Sequence, residues 1–157
     1  MVTEDPYRIK ITENPISDID GRTFVSDGTH GVVVVFHGVT RDNTDSRQVL
    51  FLEYESYLPM AKKKLRKVAR EMCQKWNVKT SIEHRLGKVD IGEASLIVAV
   101  GSPHRKEAFD ACVYSVDRIK QEVPIWKKEY FRGGEVWIGD AEGFRPLKGT
   151  GGSNIDH

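Results

Sequence analysis

The chain has 157 residues, a length that suits one domain with a real core. A hydrophobic fraction of 39%, a charged fraction of 30% and a formal net charge of +1 leave no global field to draw in nucleic acid or an anionic membrane. No apolar run approaches the ~20 residues that cross a bilayer, the acidic start M-V-T-E-D-P-Y has no apolar signal core, and Cys73 and Cys112 form no C-x-x-C pair, so neither zinc nor a disulfide framework is expected and the setting reads as reducing and cytoplasmic.

Residues 7–11 (Y-R-I-K-I) alternate apolar and polar, as a half-buried strand does. Residues 12–30 are rich in Asp, Gly, Ser and Thr and read as loop with at most a short helix. Residues 31–36 (G-V-V-V-V-F) are a β-branched run, the pattern of a strand buried on both faces. A polar loop from Gly38, carrying Arg41, leads to a second strand at residues 49–54 (V-L-F-L-E-Y), and the spacing suggests a hairpin across a long loop.

Residues 59–76 are the clearest helix. Ala61, Leu65, Val68, Met72 and Trp76 recur at three- and four-residue intervals and form one apolar stripe. Lys62, Lys63, Lys64, Arg66, Lys67 and Arg70 take most of the remaining surface; no aromatic residues interleave with them to stack bases, so they read as a solvated face. Cys73, beside the stripe, reads as core.

Residues 80–85 (T-S-I-E-H-R) read as a strand, followed by a turn at Gly87 and a polar link to Gly92. His84 is a catalytic candidate, although a lone histidine in a strand is more often structural. Residues 94–100 (A-S-L-I-V-A-V) are another buried strand, which ends at Gly101 and feeds a helix. There Ser102 is the expected N-cap and Pro103 the first helical residue, with His104 and Arg105 in the first turn. The macrodipole disfavours cations at that place, so the pair either points into solvent or holds an anion such as phosphate. Phe109, Cys112, Val116 and Ile119 are the expected apolar face. Lys120 falls at the helix end, where a cation is favoured, and Pro124 stops the helix.

Residues 124–131 (P-I-W-K-K-E-Y-F) are extended and dense in aromatic and basic groups. Gly133 and Gly134 turn the chain into E-V-W-I, and the two segments read as a terminal hairpin. The end, K-G-T-G-G-S-N-I-D-H, is Gly-rich and expected to be disordered, which leaves residues 1–147 as a single domain and 148–157 as a tail. The order of elements indicates an α+β (mixed α/β) domain.

F-H-G-V-T-R (residues 36–41), L-E-Y-E-S-Y-L-P-M-A (52–61), H-R-L-G (84–87), S-P-H-R (102–105) and V-P-I-W-K-K-E (123–129) occur in this order and at these intervals. Together they resemble the MoaE family, the large, catalytic subunits of molybdopterin synthase. The resemblance implies an α/β hammerhead fold with an additional antiparallel β subdomain. It also implies a homodimer within a heterotetramer, each large subunit receiving the thiocarboxylated Gly-Gly tail of a small, ubiquitin-like sulfur carrier (MoaD-like). Two sulfurs would pass to cyclic pyranopterin monophosphate (precursor Z), forming the dithiolene of molybdopterin. In this sequence the family's active-site lysines match Lys120 and Lys127. The substrate-phosphate and pocket residues match Arg41, His104 and Arg105, with Phe36 and Glu129 nearby.

The chemistry fits those residue types. A lysine can move protons or, when charged, stabilise a developing oxyanion or thiolate, and Arg41 and Arg105 can hold a phosphate through several donors. No metal or other cofactor is called for by these steps. Lys128 competes with Lys127, and spacing alone does not choose between them; the family register does. A helix rises about 1.5 Å per residue, so its two ends are too far apart for one small substrate. The expected site therefore joins Lys120 and Lys127 of one subunit to His104 and Arg105 of its dimer mate. The sequence departs from the family pattern in residues 16–28, which are poor in helix formers, and after Trp137, where Arg145 is the candidate for a missing basic residue. The alternative reading is a non-enzymatic phosphate- or nucleotide-binding module built on Arg41, His104 and Arg105, which would have no need of both lysines.

Overall fold

The computed structural model describes residues 5–139, with side chains up to residue 134. The Gly-rich tail and Arg145 lie outside the described residues. A four-stranded sheet is built from β1 (Tyr7–Thr12), β2 (Val32–Val39), β5 (Lys79–Arg85) and β7 (Ala94–Ser102), in the order β1-β5-β7-β2. Only the β1–β5 pair is parallel. A second, antiparallel sheet holds β3 (Asn43–Thr44), β4 (Arg47–Ser56), β6 (Gly87–Asp90), β8 (Ile125–Phe131) and β9 (Gly134–Gly139), with β4 pairing β3, β6 and β8, and β9 completing the edge on β8. Three helices complete the fold among the described residues: α1 (Ile19–Val25), α2 (Leu58–Lys75) and α3 (Arg105–Glu122). This is the mixed α+β architecture expected, an α/β layer with an added antiparallel sheet.

The core lies where α2 and α3 cover the first sheet. Ala61, Leu65, Val68, Ala69 and Met72 of α2 are fully buried against Ile82, Val98 and Val100, and burying a side chain such as Leu65 is worth about 1.5–3 kcal/mol. Glu71 of α2 accepts hydrogen bonds from the Arg118 guanidinium (3.2 and 3.3 Å) and the Tyr114 hydroxyl (2.8 Å) of α3, which fixes one helix against the other. The α2 stripe is therefore as expected, with Trp76 at its end standing edge-on to Tyr114. On the opposite face α1 packs so closely that a Cβ on Gly21 would sit 3.0 Å from the Ser81 hydroxyl, and any side chain at Gly101 would strike the Val25 carbonyl. This close approach explains how a seven-residue helix survives in a segment poor in helix formers.

The structure corrects several local expectations. The strands at 31–36 and 49–54 do not form a hairpin: β2 pairs with β7, and β4 belongs to the other sheet. The real hairpin is β3–β4, closed by Asp45 and Ser46 at φ 51 and 67, as a tight primed turn requires. The polar link after Gly87 is a strand, β6, in which only Val89 is buried, too little apolar pattern to announce it. Ser102 and Pro103 do not start α3. Ser102 pairs with Val32 as the last residue of β7 and its carbonyl accepts the Gly31 N–H at 3.1 Å, so its backbone is committed to the sheet. His104 is the N-cap residue, its own N–H donating to the Ser102 hydroxyl at 3.3 Å, and Arg105 opens the helix with Glu107 in the same first turn. Phe109 is not on the buried face; that face is Ala108, Ala111, Cys112, Ser115 and Ile119, whose small residues bring α3 close to the sheet. Cys73 and Cys112 are core-facing as expected, and burial pushes both thiols up to about 11, away from reactivity at neutral pH.

Candidate active site

The C-terminal ends of β2 and β5 and the N-terminal end of β7 meet at one end of the first sheet. The helix α3 returns antiparallel from the far end of β7, so its C-terminal turn reaches the same place. There the second sheet closes over and leaves a cavity of about 370 Å³, within the range of small-molecule sites. Phe36, Gly38 and Arg41 come from β2 and the loop after it, Leu52 and Tyr54 from β4, and His84 from β5. Ser95 and Leu96 come from β7, Ile119 and Lys120 from α3, Val123 from the segment after it, and Ile125, Lys127 and Glu129 from β8.

The pleat of β8 decides between the neighbouring lysines. Ile125, Lys127, Glu129 and Phe131 are its buried face, and Trp126, Lys128 and Tyr130 its outer one. Lys127 thus enters the cavity with 3% of its side chain exposed, while Lys128 lies outside over the Tyr130 ring at 5.3 Å. Residues two apart in a strand share a face, so Glu129, 1% exposed, stands next to Lys127 with Oε2 3.7 Å from Nζ. Its other oxygen, Oε1, is buried without a hydrogen-bond partner among the described residues. Lys120 is half-buried at the end of α3, and Arg41 is exposed at the rim. Thr40 holds that rim in place: its N–H donates to the Glu93 carbonyl at 3.1 Å and its carbonyl accepts the Gly92 N–H at 2.9 Å.

Arg41, Lys120 and Lys127 against Glu129 give the lining an excess of positive charge, suited to an anionic ligand. The opposite wall is neutral. The Ser95 hydroxyl is 3.2 Å from the Tyr54 hydroxyl, and the His84 ring meets the Tyr54 ring edge-on at 5.3 Å. His84 Nδ1–H donates to the Arg85 carbonyl at 2.8 Å, and burial holds its pKa down to about 4, so the imidazole is neutral at physiological pH. Among the described residues, no group of three or more His, Cys, Asp or Glu side chains is placed to hold a metal ion, and no helix is long and apolar enough to cross a membrane.

Of the residues singled out in the sequence, Phe36, Arg41, Lys120, Lys127 and Glu129 line this one cavity. His104 and Arg105 do not. They are exposed at the other end of α3, and the fifteen-residue separation of Arg105 from Lys120 amounts to about 22 Å of helix.

The family described as MoaE protein matches residues 11–122. The chain belongs to the MoaE family. It is 44% identical over 134 residues to the molybdopterin synthase catalytic subunit of Bacillus subtilis (strain 168), covering 85% of each protein. It is 42% identical over 137 residues to the molybdopterin synthase catalytic subunit of Staphylococcus aureus (strain COL), covering 87% of this chain and 93% of that one. Its fold matches the X-ray crystal structure of molybdopterin synthase from Staphylococcus aureus with a TM-score of 0.79 at 44% identity, covering 82% of this chain and 95% of that one. The MoaE match covers β2, α2, β5, β7 and α3 but ends before β8, the strand that carries Lys127 and Glu129. The alignments with the relatives are longer than the family match.

Sequence reasoning did not find the neutral wall. Tyr54, Ser95 and His84 come from three strands that only tertiary pairing brings together. His84 was visible as a candidate, and the H-R-L-G segment that contains it was part of the resemblance, but no periodicity distinguishes a histidine facing a cavity from one packed in a core.

Proposed function

We propose that this chain is the catalytic subunit of a molybdopterin synthase, an enzyme of molybdenum cofactor biosynthesis. It takes sulfur from the thiocarboxylated C-terminus of a small ubiquitin-like subunit and delivers it to cyclic pyranopterin monophosphate, forming the dithiolene. The observation that carries this reading is the convergence of Lys120, Lys127 and Arg41 on one cavity of small-molecule size beside a buried, half-paired Glu129. Arg41 at the rim binds anionic substrate groups through a multi-donor guanidinium. Lys120 and Lys127 stabilise the negative charge that develops as the thiocarboxylate sulfur transfers, and relay the protons the transfer requires. Glu129 holds Lys127 in the cavity and balances its charge while no anion is bound.

The site is completed by a second copy of the chain. His104 and Arg105, stranded about 22 Å of helix from Lys120, supply phosphate contacts to the dimer mate's cavity, within a heterotetramer of two large and two small subunits. The reaction belongs to the cytoplasm, in keeping with inert, core-facing cysteines.

The test mixes the purified chain with a thiocarboxylated small subunit and cyclic pyranopterin monophosphate and measures molybdopterin. Product is expected from the wild type and not from Lys120→Ala or Lys127→Ala. Absence of product with both partners bound would leave the non-enzymatic binding module as the reading. Undiminished product from both variants would instead remove the lysines from the mechanism.

A further inference from the structure

His84 is a buried titratable group for which the reaction described above has no use. The ring is 4% exposed and lines the cavity. Its orientation is fixed twice, by the Nδ1–H bond to the Arg85 carbonyl at 2.8 Å and by the edge contact with Tyr54 at 72° between ring planes. Because Nδ1 carries the proton, Nε2 is left as the acceptor of a ring that lines the cavity.

The surroundings indicate what the acceptor is for. Arg41, Lys120 and Lys127 put the cations on one side of the cavity, together with the one carboxylate, Glu129, whose Oε2 lies 3.7 Å from Lys127 and whose Oε1 has no hydrogen-bond partner among the described residues. A ligand whose anionic group lies on that charged side needs, for N–H donors at its other end, an acceptor on the opposite side. The neutral wall of His84, Tyr54 and Ser95 supplies it, and the Nδ1 bond prevents the imidazole from turning into a donor.

We infer that His84 is a substrate-contacting residue whose Nε2 accepts a hydrogen bond from a ring N–H of the pterin, orienting the heterocycle across the cavity from the lysines. Burial, which keeps the imidazole uncharged, is consistent with that role. The inference rests on the reading of the cavity as the pterin site.

Binding of cyclic pyranopterin monophosphate, and separately of the unthiolated small subunit, is measured calorimetrically for wild type, His84→Phe and His84→Gln. His84→Phe keeps a ring against Tyr54 but lacks the acceptor, whereas the Gln carboxamide oxygen reaches the place of Nε2. His84→Phe is expected to weaken pterin binding about tenfold and leave small-subunit affinity unchanged, with His84→Gln recovering most of the loss. In wild type labelled with nitrogen-15, the unprotonated Nε2 resonance should move upfield when the pterin is added. Unchanged pterin affinity in folded His84→Phe, or a loss confined to the small subunit, overturns the inference. Should His84→Phe not fold, an Nε2 resonance unmoved by saturating pterin overturns it equally. Turnover by wild type alongside any of these results leaves the synthase reading standing, whereas a wild type that neither binds nor converts the pterin removes that reading itself.

Discussion

The two ends of α3 carry cations in opposite circumstances. At the C-terminal end Lys120 enters a walled cavity with Lys127, Glu129 and a neutral histidine, closed over by a second sheet. At the N-terminal end His104 and Arg105 stand on the surface, with the acidic Glu107 in the same first turn. A cavity that concentrates desolvated charge can do chemistry and must spend stability to hold it. An exposed pair can only lend charge to something that docks against it. On the function proposed above, one helix holds half of each of two sites, and a symmetric dimer is the simplest way to join the halves.

The largest expected difference between the ends is in stability. Glu129→Ala removes the carboxylate 3.7 Å from the buried Lys127 ammonium and should cost about 3–5 kcal/mol in urea unfolding, whereas Glu107→Ala at the other end should cost under about 1 kcal/mol. Equal losses would mean that the cavity is more solvated than the fold indicates.

Acid should act mainly on the cavity end. The folded-state pKa of His84 lies at about 4, below its ordinary 6.5, because burial disfavours the charged ring. The unfolded chain then binds more protons between these values, so stability falls as pH drops from 6.5 towards 4, by ~3 kcal/mol from this group when the loss is complete. Lys120, Lys127 and Arg41 share the cavity, with Glu129 opposing them, and Tyr54 is the neutral phenol in contact with the ring. Urea midpoints across this range should therefore separate wild type from His84→Gln, whose curve lacks this slope. Parallel curves would show that His84 titrates normally.

In catalysis, Lys127→Ala should lower molybdopterin formation by about 100-fold or more, the scale of a lost transition-state contact, while Lys128→Ala, on the outer face of β8, should stay within about twofold. Comparable losses would contradict the assignment made by the pleat. Smallest is the effect at the exposed end. Arg105→Ala should raise KM for the pterin about tenfold, as loss of a charge-assisted phosphate contact does, with Tm unchanged because the side chain is exposed.

What the sequence revealed follows from how local each feature is. The α2 stripe, the terminal hairpin and the buried strand leading into α3 depend on near neighbours and were readable. The pairing of β2 with β7 rather than with β4, and the existence of β6, depend on strands far apart in the chain and were not. The start of α3 was misplaced because Ser102 and Pro103 are good helix-start residues, yet the sheet claims Ser102 first. At the site, Lys120, Lys127, Arg41, Phe36 and Glu129 were legible only through the family resemblance. Once β8 is known to be a strand with Ile125 buried, period-two alternation alone would have chosen Lys127 over Lys128. Tyr54, Ser95 and His84 had no such signal, since their meeting is a property of the assembled sheets.

The division of the site between two subunits is tested most directly with a dimer carrying Lys127→Ala in one copy and Arg105→Ala in the other, isolated through two different tags. If Lys127 works with the Arg105 of its dimer mate, one cavity of this heterodimer carries both substitutions and the other carries neither. Molybdopterin formation should then return to about half that of wild type, well above either homodimeric variant. A heterodimer no more active than the average of the two homodimers would contradict the account, because it would place Lys127 and Arg105 in the same subunit's site or Arg105 in none.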